Sequence, residues 1–294
     1  EEGDISMEQK HIFIIKPNTQ SPKIEAMINS LMKGYDYEIK YTKYSRHATE
    51  IAKSYQKYNH RIYAVGGDGI VHEIVQGLIG SDNELVIIPA GTGNDFMRTI
   101  ANTNDPYELL EMSLHLKAQP IDLIKANDIY CINVFCCAFD SDIANNVHNY
   151  RRIKYLPKAL QYANVLVRRM SKYRLYPTTL YQNEKKIYEG SLIVGAFCNG
   201  KYFGGGFKIG KNANIQDGLI DINLVSSLKK RSIPYYLFLL FTGQLEKGKL
   251  YYHNKLKVLD IKTNQDVNID GERYSKGCYH LEIVKNSLKV VLYK

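Results

Sequence analysis

No stretch of the sequence approaches the roughly 18 uninterrupted apolar residues that a membrane-spanning helix requires. The N-terminus also lacks the apolar core of a secretory leader, so the expected location is the cytoplasm. Glu1 to Ser6 precede Met7 and read as an expression remnant. The five cysteines (Cys131, Cys136, Cys137, Cys198, Cys278) are odd in number and include no C-x-x-C pair. That argues against a disulfide framework and a structural zinc site, and for reduced, mostly buried thiols. No G-x-x-x-x-G-K-[ST] loop and no H-R-D set occur, so neither a P-loop enzyme nor a protein kinase is indicated. Repeats, low-complexity tracts and long linkers are absent from the sequence.

What is present is a chain of 294 residues, long enough for two domains, with 45% hydrophobic and 23% charged residues, the composition of a globular protein with a real core. A net charge of +9 suits an anionic partner: nucleic acid, an acidic membrane surface or a phosphorylated small molecule. Basic residues gather at Arg151, Arg152, Lys154, Lys158, Arg168 and Arg169 and again at Lys229, Lys230 and Arg231, which suits lipid headgroups. Solvated helix faces account for them equally well. Tyrosines around Tyr150, Tyr155, Tyr162, Tyr173 and Tyr176 could form an interfacial rim, although core packing and ordinary surface explain most of them. No recognisable nucleic-acid reading motif occurs, and none of that partner class is expected.

From Lys10 to about Lys117 short apolar runs alternate with helical patterns, which predicts an α/β domain with a parallel sheet over 7–118. Strands are expected at Ile12–Ile15, Tyr37–Tyr41, Arg61–Val65 and Leu85–Ile88, and helices at Ile24–Met32 and Ala48–Tyr58. After Pro120 short β-prone runs dominate: Ile129–Ala138, Leu175–Tyr181, Ser191–Phe197, Leu219–Val225, Leu256–Ile261 and Leu288–Tyr293. They predict a larger, mainly antiparallel β-sandwich domain over 119–286, with helical pieces at Pro157–Met170 and Ile233–Leu245. The strand in 287–294 is a candidate to return to the first domain.

Two glycine-bearing loops each follow a predicted strand. The first, Gly66, Gly67, Asp68 and Gly69, opens a helical pattern through Ile70, Val71, His72 and Glu73, and amides at a helix start favour phosphate. Asp68 would repel a phosphate unless Mg²⁺ lay between them, which points to a nucleotide bound with metal. Taken alone, a tight turn explains the tetrapeptide as well. The second loop, Gly91, Thr92, Gly93, Asn94 and Asp95, adds a hydroxyl, an amide and a carboxylate at the same strand edge. Two such loops are hard to explain as turns.

The segments GGDGIVHEIVQGL and IPAGTGNDFMR resemble the paired signatures of the diacylglycerol kinase catalytic family, which includes sphingosine kinases and bacterial YegS-like lipid kinases. Asn199 to Gly206, Asp217 to Asp221 and the closing Asp270-Gly271-Glu272 are similar to further family segments. The resemblance implies a transfer of the γ-phosphate of ATP to a lipid hydroxyl, most readily diacylglycerol giving phosphatidate. It implies ATP held by Thr42, Gly66 to Glu73 and Gly91 to Asp95, and a catalytic magnesium network of Asp68, Asp95 and Asp122. It implies a base at Asp270 or Glu272, and a structural magnesium at Asp217 with backbone oxygens of Asn214 and Leu219. Peripheral association with an anionic membrane follows from a lipid substrate, and an edge-strand homodimer would be unsurprising.

The chain departs from the family pattern at several positions. Lys16 to Gln20 stand where N-P-x-S-G is usual, Ile70 where threonine is, and Gln216 where aspartate often is. His72 replaces a common asparagine, as in sphingosine kinases. Two alternatives remain open at this level: an NAD kinase-like phosphotransferase, and a nucleotide-binding regulatory protein whose kinase chemistry has lapsed.

Overall fold

The computed structural model describes residues 9–18, 20–91, 93–146, 177–227 and 232–294. The helix expected at Pro157–Met170, the tyrosine cluster from Tyr150 to Tyr176, the basic residues of 151–169 and 229–231, and Thr19 and Thr92 lie outside the described residues. The chain forms two compact units. One comprises Glu1–Gly91, Ile100–Ile121 and Ser287–Lys294; the other comprises Thr92–Thr99 and Asp122–Asn286.

The first unit is α/β. Strands His11–Ile15 (β1), Tyr37–Tyr41 (β2), Arg61–Gly66 (β3) and Glu84–Pro89 (β4) pair in parallel in the order β2-β1-β3-β4. Beyond β4 the sheet is completed by the end of the chain, with Lys289 opposite Glu84 and Val290 opposite Leu85. Every residue of β1 and β3 is buried, the continuous pattern of strands covered on both faces. Phe13 stacks on Tyr63 with ring centroids 4.1 Å apart. The helices are Ser21–Leu31 (α1), His47–Ser54 (α2), Asp68–Leu78 (α3), Met97–Ile100 (α4), which crosses into the second unit, and Pro106–His115 (α5). Asp105 caps α5 by accepting the Tyr107 amide at 2.8 Å. Gly77 lets α2 and α3 approach: a Cβ there would lie 2.6 Å from Ala52 Cβ and 2.7 Å from the Thr49 carbonyl.

The second unit is a β-sandwich with helical additions. Its elements are Ala118–Ala126 (β5), which enters this unit at Asp122, Ile129–Cys131 (β6), Val134–Cys136 (β7), Phe139–Asn146 (α6), Pro177–Gln182 (β8), Lys185–Cys198 (β9), Tyr202–Phe203 (β10) and Phe207–Lys208 (β11). Ile220–Ser226 (β12), Ile233–Phe241 (α7), Tyr251–Leu256 (β13), Val258–Thr263 (β14), Val267–Ile269 (β15), Glu272–Tyr274 (β16) and Gly277–Val291 (β17), which leaves this unit after Asn286, follow. One sheet runs β13-β12-β9-β7-β15-β16, and the other runs β9-β8-β14-β17-β5-β6. The 14-residue strand β9 serves both: Lys185–Ser191 pair with β8, and Leu192–Cys198 with β12. Phe135, Phe197 and Ile222 of one sheet pack with Leu180, Ile261 and Leu281 of the other.

Several details differ from the sequence reading. The expected strand Ile129–Ala138 is split into β6 and β7, because the amides of Ile132, Asn133 and Val134 turn to the Asp270 carboxylate. The expected helix to Leu245 stops at Phe241, where Gly243 takes a φ of 63° and the Gln244 amide returns to the Leu239 carbonyl. Thr92–Thr99, expected in the first domain, groups with the second unit. The Gly205 amide donates to Asp95 at 2.8 Å and the Lys201 amide to Thr99 Oγ1 at 2.9 Å, which ties that segment there.

Candidate active site

In the first unit the C-terminal ends of the parallel strands gather the residues of interest, the edge at which open α/β sheets bind ligands. The two glycine loops meet there. The Gly66 carbonyl accepts the Ala90 amide at 2.8 Å and the Gly91 amide at 3.1 Å. A Cβ on Gly66 would lie 2.7 Å from Ile70 Cγ2, so the close fold-back of β3 into α3 excludes a side chain. Asn18, in the loop that departs from the family pattern, donates to the Ala90 carbonyl at 3.1 Å and joins this edge. The Thr42 amide donates to Ile15 at 2.9 Å, which fixes Thr42 at the end of β2.

The sequence-predicted residues divide by role within α3. Asp68 is its first residue, and Gly67 its extended N-cap. Ile70, Val71 and His72 are buried. The Ile70 and Val71 amides both donate to the Gly67 carbonyl, closing the first turn. Glu73 is engaged elsewhere: its carboxylate accepts the Ala48 amide at 3.2 Å and its carbonyl the Thr49 hydroxyl at 2.7 Å. It therefore anchors the start of α2, where a negative charge is favoured.

In the second unit Asn94 sits at a φ of 54° and Asp95 is buried. The Asp95 carboxylate holds the turn Gly204-Gly205-Gly206, all three at positive φ, through the Gly205 amide. Asp122, 2% exposed, accepts the Gly218 amide on one oxygen at 2.7 Å and the Asn286 amide on the other at 3.0 Å. Asn199 reinforces it by donating to the Asp122 carbonyl at 2.8 Å.

Asp270 and Glu272 separate sharply in environment. Asp270 is buried at a φ of 52°, and its carboxylate accepts three backbone amides, from Ile132, Asn133 and Val134, at 3.0, 2.8 and 3.1 Å. The Cys131 thiol adds a contact at 3.1 Å; burial and the Asp270 carboxylate push that thiol well above its ordinary pKa, so it remains a donor. Glu272, two residues on, opens β16 and is exposed.

The two metals implied by the resemblance fare differently. A magnesium accompanying a nucleotide needs one or two carboxylates besides phosphate oxygens, and Asp68 at the head of α3 fits that demand. Asp122 is tied to the fold first: each of its oxygens accepts one amide and keeps a second lone pair for a further partner. The structural site does not fit. Asp217 Oδ1 accepts the Leu219 amide at 3.1 Å, and Lys255 Nζ donates to Asp217 Oδ2 and to the Asn212 carbonyl, each at 2.7 Å. The same ammonium lies 3.9 Å from Asp221 Oδ2, which pairs with His253 Nε2 at 2.8 Å. A fixed ammonium occupies the carboxylate that a divalent ion would need, and two cations that close repel strongly. Sequence reading missed Lys255: it carries no local motif, and only the β12–β13 register, with Asp221 opposite Lys255, brings it to the loop. Among the described residues no group of three or more His, Cys, Asp or Glu side chains could hold a metal ion.

Residues 13–126 match the model of the diacylglycerol kinase catalytic domain, and residues 135–292 that of the YegS C-terminal NAD kinase beta sandwich-like domain. The chain belongs to the diacylglycerol kinase catalytic domain family. A curated relative from Shewanella frigidimarina, named a probable lipid kinase YegS-like, is 29% identical over 239 residues, covering 79% of this chain and 76% of the relative. Another of that name, from Alcanivorax borkumensis, is 26% identical over 249 residues, covering 79% and 78%. A crystal structure of a diacylglycerol kinase from Bacillus anthracis is similar with a TM-score of 0.76 at 21% identity over 97% of each chain. An NAD kinase from Archaeoglobus fulgidus in complex with ATP gives 0.53 at 12% identity, over 97% of this chain and 94% of that one, a likeness of fold. Family membership places the chain among phosphotransferases that use ATP.

Proposed function

We propose that the chain transfers the γ-phosphate of ATP to the hydroxyl of a membrane lipid, with diacylglycerol as the acceptor and phosphatidate as the product. The observation that carries the reading is the meeting of the two glycine loops at the Gly66 carbonyl, on the strand edge of the first unit. Amides at Gly67 and Gly69 receive the phosphates at the start of α3, with Gly66 and Gly91 kept small for close approach. Thr42 borders the nucleotide, and Gly93, Asn94 and Asp95 form the second loop's contribution. Asp68, at the head of α3, would hold the magnesium that accompanies the nucleotide, and the ion would supply charge neutralisation for the transferring phosphoryl group.

The resemblance implies a base at Asp270 or Glu272, and exposure favours Glu272. Glu272 takes the proton of the acceptor hydroxyl as its oxygen attacks the γ-phosphorus, the bond from phosphorus to the β,γ-bridging oxygen breaks, and ADP leaves. Asp270 is supported as a positioning residue by its three backbone amides, which fix the turn carrying Glu272. Asp95 likewise positions the triple-glycine turn.

The test is transfer of labelled γ-phosphate from ATP with Mg²⁺ to a panel of lipid hydroxyls in mixed micelles, with NAD and water as controls. Label in diacylglycerol is the expected result. Label in NAD alone would replace the reading with an NAD kinase-like one, and nucleotide binding without any labelled acceptor would leave a regulatory protein.

A further inference from the structure

Helix α7 reads IPYYLFLLF and contains no charged residue. Tyr236, Leu239 and Leu240 are buried with Phe203, Phe207 and Leu245, so one face belongs to the core. At spacings of three, Tyr235, Phe238 and Phe241 face outward and are 50%, 59% and 43% exposed. Leu250 and Tyr252 extend this apolar surface; the Leu250 amide donates to the Tyr236 hydroxyl at 2.8 Å, which places that segment beside the helix. A surface helix of a water-soluble protein ordinarily turns charged residues outward, and contiguous exposed apolar area marks an interaction site.

The charge around the helix identifies the partner. In the sequence Lys229, Lys230 and Arg231 precede α7, and Lys247 and Lys249 follow it; between 228 and 252 these five basic residues face one acidic residue, Glu246. Glu246 is neutralised by Lys211 at 2.5 Å. Aromatic rings flanked by lysine and arginine suit the boundary between headgroups and acyl chains of an anionic bilayer. Nine residues of helix are too short to cross the hydrocarbon, so the helix would lie in the plane of the surface. A second copy of the chain is disfavoured as occupant, because a two-fold contact would bring the same basic residues face to face.

We infer that α7 is a membrane-docking helix, inserting Tyr235, Phe238 and Phe241 into an anionic lipid surface. Its purpose rests on the lipid kinase reading, since it would carry the second unit to an acceptor held in the bilayer. Its physics does not depend on that reading.

The experiment is co-sedimentation of the full chain with vesicles of phosphatidylcholine alone or mixed with phosphatidylglycerol. Binding to the anionic vesicles, weakened by salt, is expected for the unaltered chain. The double variant Phe238→Ser/Phe241→Ser should bind about tenfold more weakly or worse. Phe241 also packs edge-on against the buried Phe207, with ring centroids 5.0 Å apart, so Phe238→Ser alone, with an unchanged melting temperature, should show the same direction of loss. Lys247→Glu/Lys249→Glu should lose affinity for the anionic vesicles selectively. Unchanged vesicle binding by the phenylalanine variant overturns the inference, as does a change in its oligomeric state by light scattering or failure of the unaltered chain to bind. Micellar phosphate transfer separates this from the proposed activity. A chain that labels lipid in micelles while the double variant still binds vesicles loses only the docking helix. A chain that labels no lipid while the double variant releases vesicles loses only the kinase reading.

Discussion

Lys255 Nζ lies 2.7 Å from Asp217 Oδ2 and 2.7 Å from the Asn212 carbonyl, an internal cation at the loop where the family resemblance implies a magnesium ion. The loop is thereby held without metal. In the nucleotide-free protein, EDTA and added Mg²⁺ are expected to leave the melting temperature unchanged. Lys255→Met should lower stability by about 2 kcal/mol, because it leaves Asp217 and the buried Asp221 without their shared counter-charge. A rise in melting temperature with Mg²⁺ that Asp217→Asn abolishes would show a metal site after all.

Asp270 and Glu272 should respond to substitution in opposite ways. Asp270→Asn turns an amide NH₂ toward backbone donors and should cost about 3 kcal/mol of stability, read by chemical denaturation. Glu272→Gln alters an exposed residue and should leave stability unchanged while lowering kcat about a hundredfold or more, with little effect on KM for ATP. Full activity in the glutamine variant would remove Glu272 as the base.

Stability should depend on pH through His11. Burial and the Arg61 charge hold its pKa down at about 4, and Nδ1 is 2.8 Å from the Tyr63 hydroxyl. The folded chain therefore binds fewer protons at this site than the unfolded chain between about 4 and the ordinary value of 6.5. Its contribution is complete above pH 6.5 and is lost as the pH falls through about 4, amounting to about 3 kcal/mol. Urea unfolding followed by circular dichroism across this range should show the decline, and His11→Gln should flatten it.

Much of the first unit was legible because its signals are local. Strands β1, β3 and β4 are continuous apolar runs, and each glycine loop follows a strand end. The second unit was legible in class but not in detail, because its breaks are imposed from far along the chain. Nothing near Ile132 announces that Asp270 will take its amide, and so divide β6 from β7. The same distance hid the assignments at the site. Glu73 reads as part of a phosphate loop, with no local sign of its bond to Ala48, and nothing near Asp122 announces that its two oxygens will also hold the Gly218 and Asn286 amides. Sequence order showed which residues belong to the family pattern; tertiary hydrogen bonds showed which of them already have another task.

Gly77→Ala tests the packing of α2 on α3. In an open helix the change would stabilise by about 1 kcal/mol. Here the new methyl meets Ala52 Cβ at 2.6 Å and the Thr49 carbonyl at 2.7 Å, and backbone cannot swing aside as a long side chain can. Overpacking should win, with a net loss of about 2 kcal/mol measured by denaturant unfolding.

The Asp122 carboxylate has a consequence for how such a chain is assembled from parts. Asp122 is the residue at which the chain passes from the first unit into the long segment of the second, and Asn286, whose amide it binds at 3.0 Å, is the last residue before the chain passes back. Entry and exit are thus clasped together at one point. The long segment begins and ends at one hydrogen bond, so its insertion asks the chain of the first unit to span no wide gap, with Thr92–Thr99 contributed from elsewhere in the chain.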